Sequence, residues 1–159
     1  GFAQVSWPCR MEVLSKSPLV VADGAHNPYS IGALLDSLPK YLSYRQLVLV
    51  VGFSRDKNVA EMVQRLAEAA PLAVFAASSR HPRSMAASEV SSRFRAQGTD
   101  AVASATTAAA LAGALEVAGE GSLVLATGSL FVAAEAREAV LGIEPELYPD
   151  LLPAERRAP

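Results

Sequence analysis

The sequence is poor in several things that would declare a function at once. It has one cysteine, Cys9, so no intrachain disulfide can form and nothing points to an oxidising compartment. Aromatic residues make up 6% and charged residues 19% of the 159 residues, while hydrophobic residues reach 51%. That balance excludes a disordered chain. Fourteen Lys and Arg stand against 16 Asp and Glu, a formal net charge of -2, so the basic footprint of a nucleic-acid binder is missing. No apolar run approaches the roughly 20 residues a membrane helix needs, and no basic segment followed by an apolar one opens the chain as a secretory signal would. The chain therefore reads as cytoplasmic, with no membrane or nucleic-acid partner. The phosphate-cradling pattern G-x-x-x-x-G-K-[ST] is absent, as is G-x-G-x-x-G after the first strand. No Ser-His-Asp set sits at a nucleophile elbow, and no Cys/His spacing suits zinc, so no metal site is expected.

What is present is an alternation of short apolar runs and helical patterns. Met11–Leu14 and Leu19–Ala22 read as strands. Tyr29–Leu38 reads as a helix, capped by Asn27 with Pro28 in its first turn. Leu47–Val51 is the strongest strand, apolar on both faces as central parallel strands are. Asn58–Ala70 carries an apolar stripe at helical spacing. Strands at Leu72–Ala76, Ala101–Val102 and Ser122–Ala126 alternate with helices at Ser84–Gln97, Thr106–Ala118 and Gly128–Leu141. The order predicts an α/β fold: a Rossmann-like three-layer domain over residues 1–141, with a mostly parallel six-stranded sheet and helices on both faces. Residues 142–159 form a proline-punctuated tail predicted to be irregular. The chain begins at Gly1 and runs straight into Phe2-Ala3-Gln4, which reads like the middle of a longer protein.

Ligands of such sheets lie at the carboxyl ends of the strands. The loops there are Asp23-Gly24-Ala25-His26-Asn27-Pro28, Gly52-Phe53-Ser54-Arg55-Asp56-Lys57-Asn58, Ala77-Ser78-Ser79-Arg80-His81-Pro82-Arg83 and Thr127-Gly128-Ser129-Leu130. Taken singly, Asp23 fits a turn, His26 a solvent-facing histidine, Lys57 a surface charge and Ser129 a helix cap. Their shared position makes them a set. Helix N-termini beside such residues suit phosphates and carboxylates.

Four motifs in order carry a resemblance: Trp7-Pro8-Cys9-Arg10-Met11-Glu12, Asp23 to Pro28, Gly52 to Asn58, and Thr127-Gly128-Ser129-Leu130-Phe131. They resemble the C-terminal domain of folylpolyglutamate synthase, an enzyme often bifunctional with dihydrofolate synthase and related to the Mur ligases. The similarity runs from about Val5 to Val140. The resemblance implies an ATP-dependent amide ligase that phosphorylates a folate or dihydropteroate carboxylate and joins L-glutamate to it. ATP and Mg²⁺ are the implied cofactors, Mg²⁺ held mainly by an N-terminal P-loop domain that this chain lacks and would partner. By position, Arg10 resembles the arginine that reaches the ATP phosphates, Asp23 the acid near the ribose, and His26 the histidine beside the phosphates and the incoming glutamate. Asn27, Lys57 and Ser129 resemble contacts to the added amino acid. His26 and Asp23 are the catalytic candidates. Arg55, Arg80 and Arg83 match no motif. Cys9 stands where the family usually has glycine. Two alternatives stay open: a Mur-type ligase adding another amino acid to a cell-wall precursor, and a stand-alone module binding a nucleotide or acidic metabolite.

Overall fold

A computed structural model of the chain describes residues 7–145 and 147. Its centre is the apolar strand expected from the sequence. Strand β3 (Gln46–Val51) buries every residue after Gln46, and β6 (Ser122–Thr127) is buried along its whole length. Each fully buried Val or Leu there contributes roughly 1.5–3 kcal/mol through removal of apolar surface from water. The other strands are β1 (Glu12–Lys16), β2 (Leu19–Ala22), β4 (Ala73–Ala77) and β5 (Ala101–Ser104). The helices are α1 (Pro28–Tyr41), α2 (Val59–Glu68), α3 (Ala87–Ala96), α4 (Thr107–Val117) and α5 (Leu130–Leu141).

The six strands form one sheet in the order β1-β2-β6-β3-β4-β5. All pairs are parallel except β1 with β2, a hairpin carrying an irregularity between Val13 and Ser15. The connections β2→β3→β4→β5 run one way across the sheet, and β5→β6 runs back. Right-handed crossovers then require the return helix to lie on the opposite face. It does. Alternate strand residues Val21, Leu49, Val51, Val74 and Leu125 pack against Ile31, Met62, Leu66 and Phe94 of α1–α3. Their neighbours Val20, Val48, Val50 and Val124 pack against Ala110 and Leu111 of α4 and Val132 and Ala136 of α5. The α/β reading with helices on both faces is the observed architecture.

Several helix boundaries differ from the expectation by a residue or more, and the two largest shifts, at the end of α1 and the start of α3, each have a local reason. Helix α1 runs through Pro39 to Tyr41 instead of ending at Leu38. Proline costs one helical hydrogen bond, but the helix continues past it to the C-cap, where Leu42 N–H donates to Leu38 O (2.9 Å). Helix α3 begins at Ala87, not Ser84, because Ser84 forms an antiparallel bridge with Ser54 and Met85 N–H donates to Phe53 O (2.8 Å). The first turn of α3 is capped from a distance: Ala87 N–H donates to Ser78 Oγ at the end of β4 (2.9 Å). The segment Gly142–Pro145 follows α5 without regular structure. The rest of the expected tail, residue 146 and residues 148–159, lies outside the described residues.

Candidate functional site

Strand order reverses around β6, so the carboxyl tips of β2, β6 and β3 stand side by side. Such a switch point opens a crevice between diverging loops. The tips are stitched together: Asp23 N–H donates to Ala126 O (2.9 Å) and Gly52 N–H to Thr127 O (3.4 Å). Two glycines make this close approach possible. A Cβ on Gly52 would lie 2.5 Å from Ala77 O, and one on Gly128, at φ +91°, would lie 2.7 Å from Gly52 O.

Asp23 follows β2 and is half-buried. Its Oδ1 accepts from Ala25 N–H (2.8 Å), which shapes the turn into α1. Its Oδ2 accepts from Met11 N–H (2.8 Å), and Gly24 N–H donates to Cys9 O (2.7 Å). The acid thus clasps the segment carrying Arg10 against the β2–α1 loop. Ionised carboxyl oxygens have about four acceptor sites between them, so each Asp23 oxygen keeps capacity for a ligand hydroxyl.

The clasped segment is strained. Cys9 at φ +59° and Met11 at φ +43° both lie in the left-handed region. Each costs about 1–2 kcal/mol relative to ordinary backbone. The bonds just named offset that cost, together with Cys9 N–H to Glu12 Oε2 (2.9 Å) and the pairing of Glu12 with Arg137 (2.9 and 3.1 Å). Cys9 therefore keeps the conformation that favours glycine. Its side chain is buried against Ala22 and Ala133. Burial, and secondarily the Glu12 carboxylate, pushes the Cys9 thiol up, so it stays protonated and unreactive at neutral pH.

Arg10, Asp23 and His26 line one groove of about 550 Å³, walled by Trp7, Tyr29 and Leu130. Arg10 and His26 are exposed, and the Arg10 guanidinium lies 6.0 Å from the Trp7 ring centre. His26 Nδ1 is 2.8 Å from Gly24 O. A carbonyl only accepts, so Nδ1 donates this bond and Nε2 is the ring nitrogen left to face a ligand. The groove brings one guanidinium, one carboxylate and one imidazole between partly aromatic walls.

The other expected residues share this edge of the sheet but not the lining of the groove. Asn27 is committed to a capping box on α1: its Oδ1 accepts from Ser30 N–H (2.8 Å) while Asn27 N–H donates to Ser30 Oγ (3.2 Å). Ser129 is buried, and its Oγ accepts from Phe131 N–H (3.2 Å) at the start of α5. Its hydroxyl proton is still available to donate. Lys57 lies in the β3–α2 loop with Nζ 3.6 Å from Asp56 Oδ2, and Arg83 Nη1 is 3.5 Å from the same oxygen.

Glu135 escaped the sequence reading, and Thr127 and His81 entered it only as members of strand-end loops without a role. Thr127 Oγ1, at the tip of β6, is buried without a hydrogen-bond partner. Glu135 is buried in α5, 4% exposed, and accepts from Arg80 N–H and the Thr107 hydroxyl, each at 2.7 Å. His81 is buried and stacked on Phe131, ring centres 3.9 Å apart. Burial first, then the Arg83 charge, lowers its affinity for a proton. One signal for Glu135 was legible: it is a lone acid on the helix face shared by Val132 and Ala136. Among the described residues no group of three His, Cys, Asp or Glu could hold a metal ion, and no helix is long and apolar enough to cross a membrane.

The fold and groove define the class: a three-layer α/β domain with an anion-compatible ligand crevice at its topological switch point. The family model described as "Mur ligase, glutamate ligase domain" matches residues 9–130, and the chain belongs to that family. It is 37% identical over 139 residues to a probable bifunctional folylpolyglutamate synthase/dihydropteroate synthase of Halobacterium salinarum, covering 86% of this chain and 17% of that protein. It is 32% identical over 142 residues to the folylpolyglutamate synthase of Lacticaseibacillus casei, covering 89% and 32%. Among solved structures, the bifunctional folylpolyglutamate synthase/dihydrofolate synthase of Yersinia pestis with Mn, AMPPNP and L-glutamate bound aligns with TM-score 0.74 at 26% identity, over 87% of this chain and 32% of that one. Mycobacterium tuberculosis folylpolyglutamate synthase complexed with ADP aligns with TM-score 0.80 at 24% identity, over 91% and 34%, a likeness of fold. The chain thus spans at most about a third of the length of these relatives.

Proposed function

We propose that this chain is the C-terminal domain of an ATP-dependent ligase that adds L-glutamate to folate, with or without dihydropteroate as a second acceptor. The observation that carries the reading is the convergence of Arg10, Asp23 and His26 on one groove at the switch point. The four motifs and the relatives' names support the substrate class. In this reading a folate carboxylate attacks the γ-phosphate of ATP, giving an acyl phosphate and ADP. The amine of glutamate then attacks the acyl carbon, an amide forms, and phosphate and a proton leave.

Holding the two reactants together and neutralising their charge is most of the task. Arg10 neutralises phosphate with a planar fork of donors. Asp23 accepts from the ribose hydroxyls with its remaining acceptor sites. His26 Nε2 meets phosphate or the incoming amine. Lys57, the Ser129 hydroxyl and the amides at the start of α5 receive the glutamate carboxylates, and Asn27 holds the α1 N-terminus beside them. Among the described residues no cluster of His, Cys, Asp and Glu suits a metal ion, and this reading places Mg²⁺ with the triphosphate on the P-loop domain that this chain would partner. Closure of the two domains excludes water from the acyl phosphate.

The test is an assay of this chain joined to its P-loop domain, supplied with ATP, Mg²⁺, L-glutamate and either folate or dihydropteroate. ADP release that requires both glutamate and the pterin acid is expected, and the chain alone should turn over no ATP. ADP release supported by a cell-wall precursor and a different amino acid, with none from folate, would replace the reading with the Mur-type alternative.

A further inference from the structure

Residues 78–86, between β4 and α3, are gripped on two sides. From α5, Glu135 Oε1 accepts from Arg80 N–H and Glu135 Oε2 from the Thr107 hydroxyl, both at 2.7 Å. The Arg80 guanidinium pairs with Glu138 (2.6 Å) and lies 3.9 Å from Glu135. His81 stacks on Phe131 of the same helix, and its Nδ1 accepts from Arg83 N–H (3.1 Å). On the other side the segment is zipped to the β3–α2 loop. Ser84 bridges Ser54, Arg55 N–H donates to Arg83 O (3.0 Å), and Met85 N–H donates to Phe53 O (2.8 Å). That loop carries Lys57. The Asp56 carboxylate lies between Lys57 and Arg83, one oxygen 3.6 and 3.5 Å from the two cations.

A carboxylate in such a place is a poor choice for stability alone. An apolar side chain of similar size often does as well or better, because a buried charge must first be desolvated. What an apolar residue cannot do is hold one backbone amide of a loop in a fixed place. Glu135 does so at the residue from which the path to the Lys57–Arg83 pair begins. We propose that Glu135 is a positioning residue for the amino-acid substrate: by fixing Arg80 and the segment after it, it sets the placement in which Lys57 and Arg83 receive a substrate carboxylate. This rests on the ligase reading above and adds Arg83 to the residues meeting that substrate.

The experiment uses the chain joined to its P-loop domain and measures KM for glutamate, KM for ATP and kcat. In Glu135→Ala the Arg80 amide and the Thr107 hydroxyl both lose a charged acceptor. KM for glutamate should rise about tenfold or more, the size of one lost charge-assisted hydrogen bond, while KM for ATP changes less than about threefold. In Glu135→Gln the amide oxygen can still accept from Arg80 N–H and the amide nitrogen can donate to Thr107 Oγ1, so KM for glutamate should return to within about threefold of wild type. Amide exchange over residues 78–86 should speed up in Glu135→Ala and not in Glu135→Gln. If Glu135→Ala does not fold, Thr107→Val removes one donor and leaves the carboxylate in place; a smaller rise in KM for glutamate alone is then expected. Equal loss for ATP and glutamate, or an unchanged KM for glutamate in a folded variant, overturns the proposal. Absence of glutamate-dependent activity in the wild-type protein overturns the ligase reading instead, so the two failures are distinguishable.

Discussion

Asp23 has a structural role that its expected role as a ribose acceptor does not mention, and replacing it tests the clasp directly. Its two oxygens each accept one backbone amide at 2.8 Å, from Met11 and from Ala25. A hydrogen bond to a charged group contributes about 1.5–3 kcal/mol, and partial burial favours the lower end. Asp23→Ala should therefore lose about 3 kcal/mol. Spread over a domain of this size that is a fall in Tm of about 6–12 °C. Asp23→Asn separates the two bonds. Its oxygen can keep the short-range bond to Ala25, while its NH₂ faces the Met11 N–H, donor against donor. It should lose roughly half as much, and lose it in the segment around Cys9. Urea unfolding followed by circular dichroism gives the energies. Cys9 gives the location, because its buried, protonated thiol should resist a thiol reagent in the wild type and react in both variants before global unfolding. An Asp23→Ala protein within about 0.5 kcal/mol of wild type, with Cys9 still protected, would refute the clasp.

Gly52→Ala should cost about 3 kcal/mol or more, since its Cβ would meet Ala77 O at 2.5 Å and Val132 Cγ2 at 2.9 Å with β3 fixed on both sides; urea unfolding of the purified variant reads this directly. His81 prefers the neutral ring in the fold, so between its lowered native value and the ordinary value near 6.5 the unfolded chain binds more protons. Stability should then rise with pH across that window, be fully present above it, and be lost as pH falls through it. His81→Phe keeps the stack on Phe131 and removes the titration, so the urea midpoint of that variant should change less than that of wild type between pH 7 and pH 5.

The fold was legible because its signals are local. The both-face apolar run at Leu47–Val51 dictates a central strand whatever surrounds it, and Asn27 with Pro28 dictates a helix start. The α3 boundary was not legible, because Ser84 and Met85 are taken by Ser54 and Phe53, about 30 residues away, and Ser78 supplies the cap that Ala86 cannot. The same division runs through the site. Asp23 and His26 could be grouped on a strand-end argument, while Arg10 entered only through the resemblance; the structure brings all three to one groove. That Asn27 and Ser129 are tied up in capping, and that Lys57 meets Arg83 through Asp56, depends on loop geometry with no short-range pattern in the sequence.

Helix α5 explains why one edge of the sheet can carry two kinds of ligand group. It starts at Ser129, beside the tips of β2, β6 and β3. Its Arg137 pairs with Glu12, whose carboxylate accepts from Cys9 N–H, so this end of the helix steadies the segment that brings Arg10 to the groove. Its Phe131, Glu135 and Glu138 hold His81 and Arg80, so the same helix steadies the segment that leads to Arg83 and Lys57. A rigid helix packed on the sheet by Val132 and Ala136 moves as one body, and side chains anchored to it move together. The nucleotide-facing and amino-acid-facing residues of the proposed ligase thus share one mechanical reference. A substitution that shifts the whole of α5 on the sheet, at Val132 or Ala136, should disturb both sets, while loss of one anchoring side chain such as Glu135 should disturb only the set it anchors.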